Sequence, residues 1–180
     1  MLHFRFYFLA SIIFSSLSFA GLNEDIASIK QNWAVANYQL EGKEQENAFN
    51  SLIRNAEQVT KRHVNSADTW IWSGIIKSSY AGITGGLSAL KYAKAAKQDL
   101  EKSIKIDPLA MNGSAYASLG TLYHKLPAWP ISFGSNKKAE RMLKKAIAID
   151  PENIDNNYFY ADYLLNTNQL ELAEKYMDKA

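Results

Sequence analysis

There is no cysteine in the 180-residue sequence, and histidine occurs only three times. The missing cysteine excludes disulfides, thiolate metal sites and thiol nucleophiles. His3 lies in the apolar amino-terminal segment, which leaves His63 and His124, and these lack the HExxH spacing of zinc enzymes. We therefore expect no metal, no cofactor and no catalytic residue, and we interpret the protein as a binding module and not an enzyme.

A strong excess of either charge is also missing. The 20 lysines and arginines nearly balance 18 acidic residues, so the formal net charge is only +2. Without a dense basic stripe in the sequence, we expect no nucleic acid partner. Hydrophobic residues make up 47% and charged residues 21%, which is typical of a globular protein.

The amino terminus, MLHFRFYFLASIIFSSLSFAG, has the pattern of a Sec-type signal peptide. Arg5 gives a positive start, residues 6–14 are apolar, and Ser18-Phe19-Ala20 predicts cleavage before Gly21. The alternative is an uncleaved anchor, because residues 6–22 carry no charge. The signal interpretation predicts a signal peptide over 1–20, a mature domain over 21–180 without a membrane span, and a periplasmic location.

Two segments of the sequence repeat without gaps. AKQDLEKSIKIDP (96–108) aligns with AERMLKKAIAIDP (139–151), and a third copy begins at Ala173, 34 residues after Ala139. The segment before the second copy has residues at helical spacing: Tyr116, Leu119, Gly120 and Tyr123. This pattern resembles the tetratricopeptide repeat. The resemblance implies an all-α, right-handed solenoid of about four helix pairs, with Gly120 and Ala139 where paired helices approach closely.

The repeat pattern weakens toward the amino terminus. It is strongest over 113–180, weaker over 66–108, where Lys77 stands at the place of an aromatic residue, and weakest over 23–63. From these units we predict helices near 23–40, 44–63, 67–80, 87–106, 112–125, 136–149, 153–166 and 169–180.

Two connections between first and second helices are longer than the repeat requires. These are AGITGG (81–86) and LPAWPISFG (126–134). The second is either a structural plug between helices or an aromatic lip for a partner. We favour a divided loop, with Ile131 and Phe133 buried and Trp129 exposed for binding, and with Gly134 allowing a backbone that other residues disfavour.

Residues 113–165 carry a narrower resemblance. The Leu-Pro-x-Trp-Pro-x-x-Phe-Gly loop and the later Asn-Tyr-Phe-Tyr segment are similar to secreted bacterial tetratricopeptide proteins. They are distantly similar to the T-component of tripartite ATP-independent periplasmic transporters, which associates with a solute-binding protein. The resemblance implies, as an alternative function, an accessory subunit of such a solute-binding or transport system.

The first helices of a tetratricopeptide solenoid line its concave groove, and this implies where a partner binds. The predicted groove and lip residues are Ser114, Ala117, Thr121, His124, Lys125, Trp129, Asp155, Tyr158 and Asp162. Their mixed charge favours a protein or a polar peptide segment as partner, including a periplasmic solute-binding protein. A further hypothesis is self-association through the apolar face of the last helix, over 170–180. We interpret the protein as a protein-interaction scaffold.

Overall fold

The computed structural model describes residues 7–180, with side chains from Gly21 onward. The predicted signal peptide over 1–20 lies outside the residues whose side chains are described, and it stays a prediction. The described part of the chain forms eight α-helices and one short 3-10 turn. They are α1 (Tyr7–Tyr38), α2 (Gly42–Arg62), α3 (Ala67–Thr84), α4 (Gly86–Ile106), the turn Ala110–Gly113, α5 (Ser114–Lys125), α6 (Asn136–Ile149), α7 (Ile154–Asn166) and α8 (Leu170–Met177).

These helices pack as four successive antiparallel pairs. Within the pairs, α1 packs on α2, α3 on α4, α5 on α6 and α7 on α8. The first helices also contact one another in sequence, α1 with α3, α3 with α5 and α5 with α7. The first helices therefore form a continuous layer, and the predicted all-α solenoid of four helix pairs is confirmed.

Glycine sets the distance between the paired helices at two crossings. A Cβ added to Gly120 would lie 2.5 Å from the Cγ of Leu143, and one added to Gly74 would lie 2.6 Å from the Cγ of Leu100. Both leucines are buried on the second helix of their pair. Because a side chain at either glycine would displace this packed core, the predicted role of Gly120 at a helix crossing is confirmed.

The α3–α4 connection differs from the predicted loop. Helix α3 continues to Thr84, and only Gly85 separates it from α4. Gly85 and Gly86 have φ values of +66° and +59°, in the region that side-chain-bearing residues rarely adopt. The segment 81–86 is thus a helix end and a tight glycine turn, and the extra residues lengthen the helical hairpin.

Helix ends account for the other differences from prediction. Helix α1 begins at Tyr7, well before position 23, and runs through the predicted cleavage point. Helix α8 ends at Met177. Among the described residues, none of the helices combines the length and apolarity that a membrane crossing requires.

Candidate functional site

A stripe of exposed polar side chains runs along α7. Asp155, Tyr158 and Asp162 follow the i, i+3, i+7 spacing that places residues on one face of a helix. Asp155 is exposed, Tyr158 is 50% exposed and Asp162 is half-buried. The intervening Asn156, Tyr160 and other residues face the core, so this stripe is the solvent-facing side of the first-helix layer.

One ion pair joins this stripe to the neighbouring first helix. The Nζ of Lys125, at the end of α5, lies 2.7 Å from the Oδ2 of Asp162 on α7. The side chains are 51% and 28% exposed, so solvent screens the pair and it adds little to stability. The pair does show that these two predicted residues lie together across adjacent first helices.

His124 lies beside this pair and packs between two elements. Its Nδ1 is 3.2 Å from the Oδ1 of Asn136, at the start of α6. Its ring meets that of Tyr163 edge to face, with 5.2 Å between centroids. Burial raises the pKa of the Tyr163 hydroxyl, and the charge of Glu140 raises it further. His124 is thus held as a polar residue at the α5–α7 junction, in contact with two residues that the repeat pattern did not indicate.

Two other predicted groove residues on α5 donate hydrogen bonds to nearby backbone carbonyls, and a third is buried. Ser114 donates from Oγ to the carbonyl of Met111 at 2.6 Å, at the first turn of α5. Thr121 donates to the carbonyl of Ala117 at 3.0 Å. Ala117 is buried at 2% exposure and belongs to a small apolar cluster, so its predicted place in the groove is wrong.

The connection from α5 to α6, residues 126–135, is a closed loop. Its base is held by Ser135 N–H donating to the carbonyl of Tyr123 at 2.7 Å and Gly134 N–H donating to the carbonyl of Pro127 at 3.0 Å. A Cβ at Gly134 would lie 1.9 Å from the Leu126 carbonyl oxygen. Glycine is therefore required for close backbone approach, and not for the unusual backbone angle that the sequence suggested.

Side chains of this loop divide between core and solvent, although not as predicted. Phe133 is half-buried, with its ring 5.6 Å from that of Tyr123 and the Nζ of Lys97 5.7 Å from its centroid. Trp129 is 86% exposed, as expected. Ile131 is 64% exposed, so its predicted burial is wrong: Phe133, and not Ile131, packs against Tyr123 and Lys97. The loop is anchored by one aromatic residue and presents another.

A buried polar cluster between α3 and α4 was missed by sequence reasoning. Asp99 Oδ2 accepts from Ser73 Oγ and from Lys77 Nζ, both at 2.7 Å. Glu57 of α2 lies 3.6 Å from the same Nζ. The signal was present in the repeat alignment, because Lys77 and Asp99 occupy positions held in the next repeat by Tyr123 and Met142.

The last helix leaves apolar side chains in solvent. Leu170 is 59% exposed, Leu172 37% and Met177 43%. Ala173 is buried and Tyr176 packs on Tyr160 with 4.7 Å between ring centroids. The face over 170–180 is therefore partly uncovered.

Comparison with protein families gives a match over part of the chain. Residues 131–180, which include α6, α7 and α8, match the tetratricopeptide repeat family. Among solved structures, the chain is similar to that titled "Crystal structure of MamA", at 20% sequence identity and a TM-score of 0.38. That similarity covers 76% of this chain and 89% of the other. No curated protein matches the sequence. The fold is all-α and tetratricopeptide-like.

Proposed function

We propose that the protein is an interaction module that binds a polar segment of another protein on the layer formed by α5 and α7. Repeats of the family matched by residues 131–180 generally mediate contacts between proteins. The observation that carries the proposal is the exposed stripe of Asp155, Tyr158 and Asp162 beside Lys125. It offers an aromatic anchor between groups of both charges.

The chemistry of this surface suits an extended peptide. Tyr158 has a large apolar ring and a hydroxyl, and it loses little conformational entropy when a partner covers it. Its ring already rests edge to face on Phe159 at 5.5 Å. The exposed ammonium of Lys125 and the carboxylates of Asp155 and Asp162 can bind acceptors and donors of a peptide backbone. The proposed function requires no catalytic group.

Cross-linking at this surface tests the proposal. A photoreactive phenylalanine analogue placed at Tyr158 should give one discrete adduct with a partner in living cells. The control is the same analogue at Leu109, which is 63% exposed and precedes the 3-10 turn. Combining the probe with Asp155→Ala and Asp162→Ala should weaken the adduct. Equal adducts from positions 158 and 109, or none from 158, would contradict a binding site on α7.

The proposed location is the periplasm, and its support is the signal-like amino terminus. Within this location, an accessory role beside a solute-binding protein is the second candidate, supported by the resemblance of the loop over 126–134. The adduct formed at Tyr158 distinguishes the two. A solute-binding protein as its main component would favour the accessory role, and other periplasmic proteins would favour a general scaffold.

Self-association through α8 is a further part of the proposal. Its support is the exposure of Leu170, Leu172 and Met177. Sedimentation velocity over a wide concentration range should show a dimer that Leu170→Glu dissociates. A monomer at all concentrations would remove this surface from the proposal, while binding through α7 would be unaffected.

A further inference from the structure

A surface at the end of the second and third helix pairs combines exposed apolar tips with lysine. On the α3–α4 hairpin, Ile83 is 36% exposed and Leu87 86% exposed, and on the closed loop Trp129 is 86% and Ile131 64% exposed. We call this surface, with the four lysines described next, the lysine edge. Single exposed apolar residues are ordinary, but four of them on two adjacent helix connections form a concentrated feature.

The charge of this edge is of one sign. Residues 78–98 and 121–139 contain no aspartate or glutamate, although the whole chain has 18 acidic residues. They contain six lysines: Lys91, Lys94, Lys97, Lys125, Lys137 and Lys138. Lys97 pairs with Glu101 and Lys125 with Asp162, both at 2.7 Å. The other four are exposed, and within the described residues no carboxylate lies at salt-bridge distance from them.

The fold brings the two halves of this edge together. All first helices end, and all second helices begin, at the same end of the antiparallel pairs, so the turn at Gly85 and the loop 126–135 lie at one edge. The ring of Phe133 lies under the Nζ of Lys97, which joins the loop directly to α4. On α4, Leu87, Lys91 and Lys94 follow the i, i+4, i+7 spacing and share one face.

We propose that the lysine edge binds the surface of an anionic lipid bilayer. Tryptophan and isoleucine at a loop tip can enter the headgroup region, where indole rings are enriched. Lysines near such a surface are attracted by anionic headgroups and can keep their charges in water while their stems lie against lipid. The residues of the lysine edge are distinct from Asp155, Tyr158 and Asp162 of the α7 stripe, so different variants test the two surfaces.

The shape of the edge favours a bilayer over an acidic protein segment. A peptide normally binds in a concave groove that receives its side chains. Here the space behind the loop is filled by Phe133 and Tyr123, and Trp129 and Ile131 project outward from it. Convex apolar tips surrounded by positive charge need only a soft apolar layer under an anionic surface, which a bilayer supplies.

The absence of cysteine in the sequence allows a site-specific test. Trp129→Cys in the full chain, labelled with an environment-sensitive fluorophore, is mixed with vesicles of phosphatidylcholine alone or with phosphatidylglycerol. The control label is at Ile154→Cys, which is 64% exposed at the start of α7, on the opposite edge. Comparing the two sites separates docking of the lysine edge from general attachment by the apolar amino-terminal segment.

We expect a blue shift and protection from aqueous iodide at position 129 with anionic vesicles, and no change at position 154. Lys137→Ala with Lys138→Ala should weaken vesicle binding of the label at 129 about fivefold per lysine. Lys102→Ala with Lys105→Ala, at the other end of α4, is the matched control and should have no effect. High salt should weaken binding in the same direction as the edge variant.

Three results would overturn the proposal. The first is an unchanged label at 129 with anionic vesicles, and the second is an equal change at 129 and 154. The third is protection of position 129 by polyglutamate but not by vesicles, which would make the edge a docking surface for an acidic protein. Circular dichroism of each labelled variant ensures that the compared proteins are folded.

Discussion

The α3–α4 and α5–α6 helix pairs cross in the same way, but they bury different side chains beside the crossing. Gly74 faces Leu100 in one and Gly120 faces Leu143 in the other, with nearly the same close approach. Next to the crossing, the second pair buries Ser73, Lys77 and Asp99, whereas the third pair places there Leu119, Tyr123 and Met142. The close approach of the backbones is thus common to both repeats. The space beside the crossing is filled by an ion pair with a serine in the second pair and by apolar and aromatic side chains in the third.

The buried ion pair makes the second helix pair more sensitive to a single substitution than the third. Lys77 and Asp99 are each 7% exposed, and their side chains lie at 2.7 Å. A buried ion pair of this kind gives modest net stability, because both charges must leave water. Removing one member leaves the other charge uncompensated, whereas removing an apolar residue in the third pair leaves only a cavity.

The largest effect should come from Lys77→Met. It leaves the carboxylate of Asp99 buried beside Ser73 alone, and we expect a loss of about 3–5 kcal/mol in the free energy of unfolding. Urea denaturation measures this. The control, Lys97→Met, removes the partly exposed pair with Glu101 and should cost less than about 1 kcal/mol.

A triple variant sharpens this prediction. Ser73→Leu, Lys77→Tyr and Asp99→Met together copy the third pair into the second, and they should recover most of the stability lost by Lys77→Met. The stability of the triple variant can be measured by urea denaturation even if the single variant does not fold. A triple variant less stable than Lys77→Met would mean that the two pairs are not interchangeable in this way.

The shared crossing is tested by Gly74→Ala and Gly120→Ala. Each new methyl group would overlap a buried leucine, and we expect losses of about 1–3 kcal/mol. The two losses should agree within about 0.5 kcal/mol, because the contacts differ by only 0.1 Å at the nearest atom, 2.6 Å against 2.5 Å. Thermal unfolding of both variants checks this, with Gly82→Ala, at an exposed position near the end of α3, as control. A large loss in one variant alone would show that the crossings are not equivalent.

The closed loop belongs to the third pair only, and its two aromatic residues should behave differently. Phe133→Ala removes the contact with Tyr123 and should cost roughly 1–3 kcal/mol. Trp129→Ala should change stability by no more than about 0.5 kcal/mol, because the indole is 86% exposed. Equal losses for both variants in urea denaturation would indicate that Trp129 is part of the structural core in solution.

The smallest effect concerns the first pair, where an ionic contact lies near the surface. Asp25 accepts from Arg62 Nη2 at 2.8 Å and lies 2.9 Å from His63 Nε2. Burial would raise the pKa of Asp25, but the hydrogen bonds and charges of Arg62 and His63 outweigh burial and lower this pKa below its ordinary value of 3.8. Asp25 therefore stabilises the fold above that value, and the contribution is lost as pH falls through the folded-state pKa.

Asp25→Asn should thus lower stability at pH 7 by less than about 1 kcal/mol, since the pair is partly exposed. The difference from the natural chain should shrink as the pH falls toward and below the ordinary carboxyl range. Urea midpoints at several pH values check this, with Glu24→Gln as the exposed neighbouring control. A difference that is constant with pH would show that the ion pairs do not contribute.

The helices and their pairing were determined by the sequence alone. Most predicted boundaries agree with α2 to α7 within a few residues, because apolar periodicity and helix-ending residues act over one or two turns of chain. The crossing at Gly120 was also readable, since a repeat places equivalent residues at equivalent contacts. The segment 81–86 was misread as a loop. A glycine-rich segment of this length is compatible both with a loop insertion and with a longer helical hairpin closed by a tight turn.

Tertiary structure decided which side chains meet and which remain in solvent. The pairing of Lys77 with Asp99 and the position of His124 against Tyr163 depend on how the helices pack. The exposure of Ile131 depends on how the closed loop folds against them. The lysine edge is likewise invisible as a stripe in the sequence, since its lysines lie on α4 and α6, which only the stacking of two hairpins places at one edge. Local periodicity sets the face of each helix, but burial and charge neighbourhood arise from contacts between residues distant in the chain.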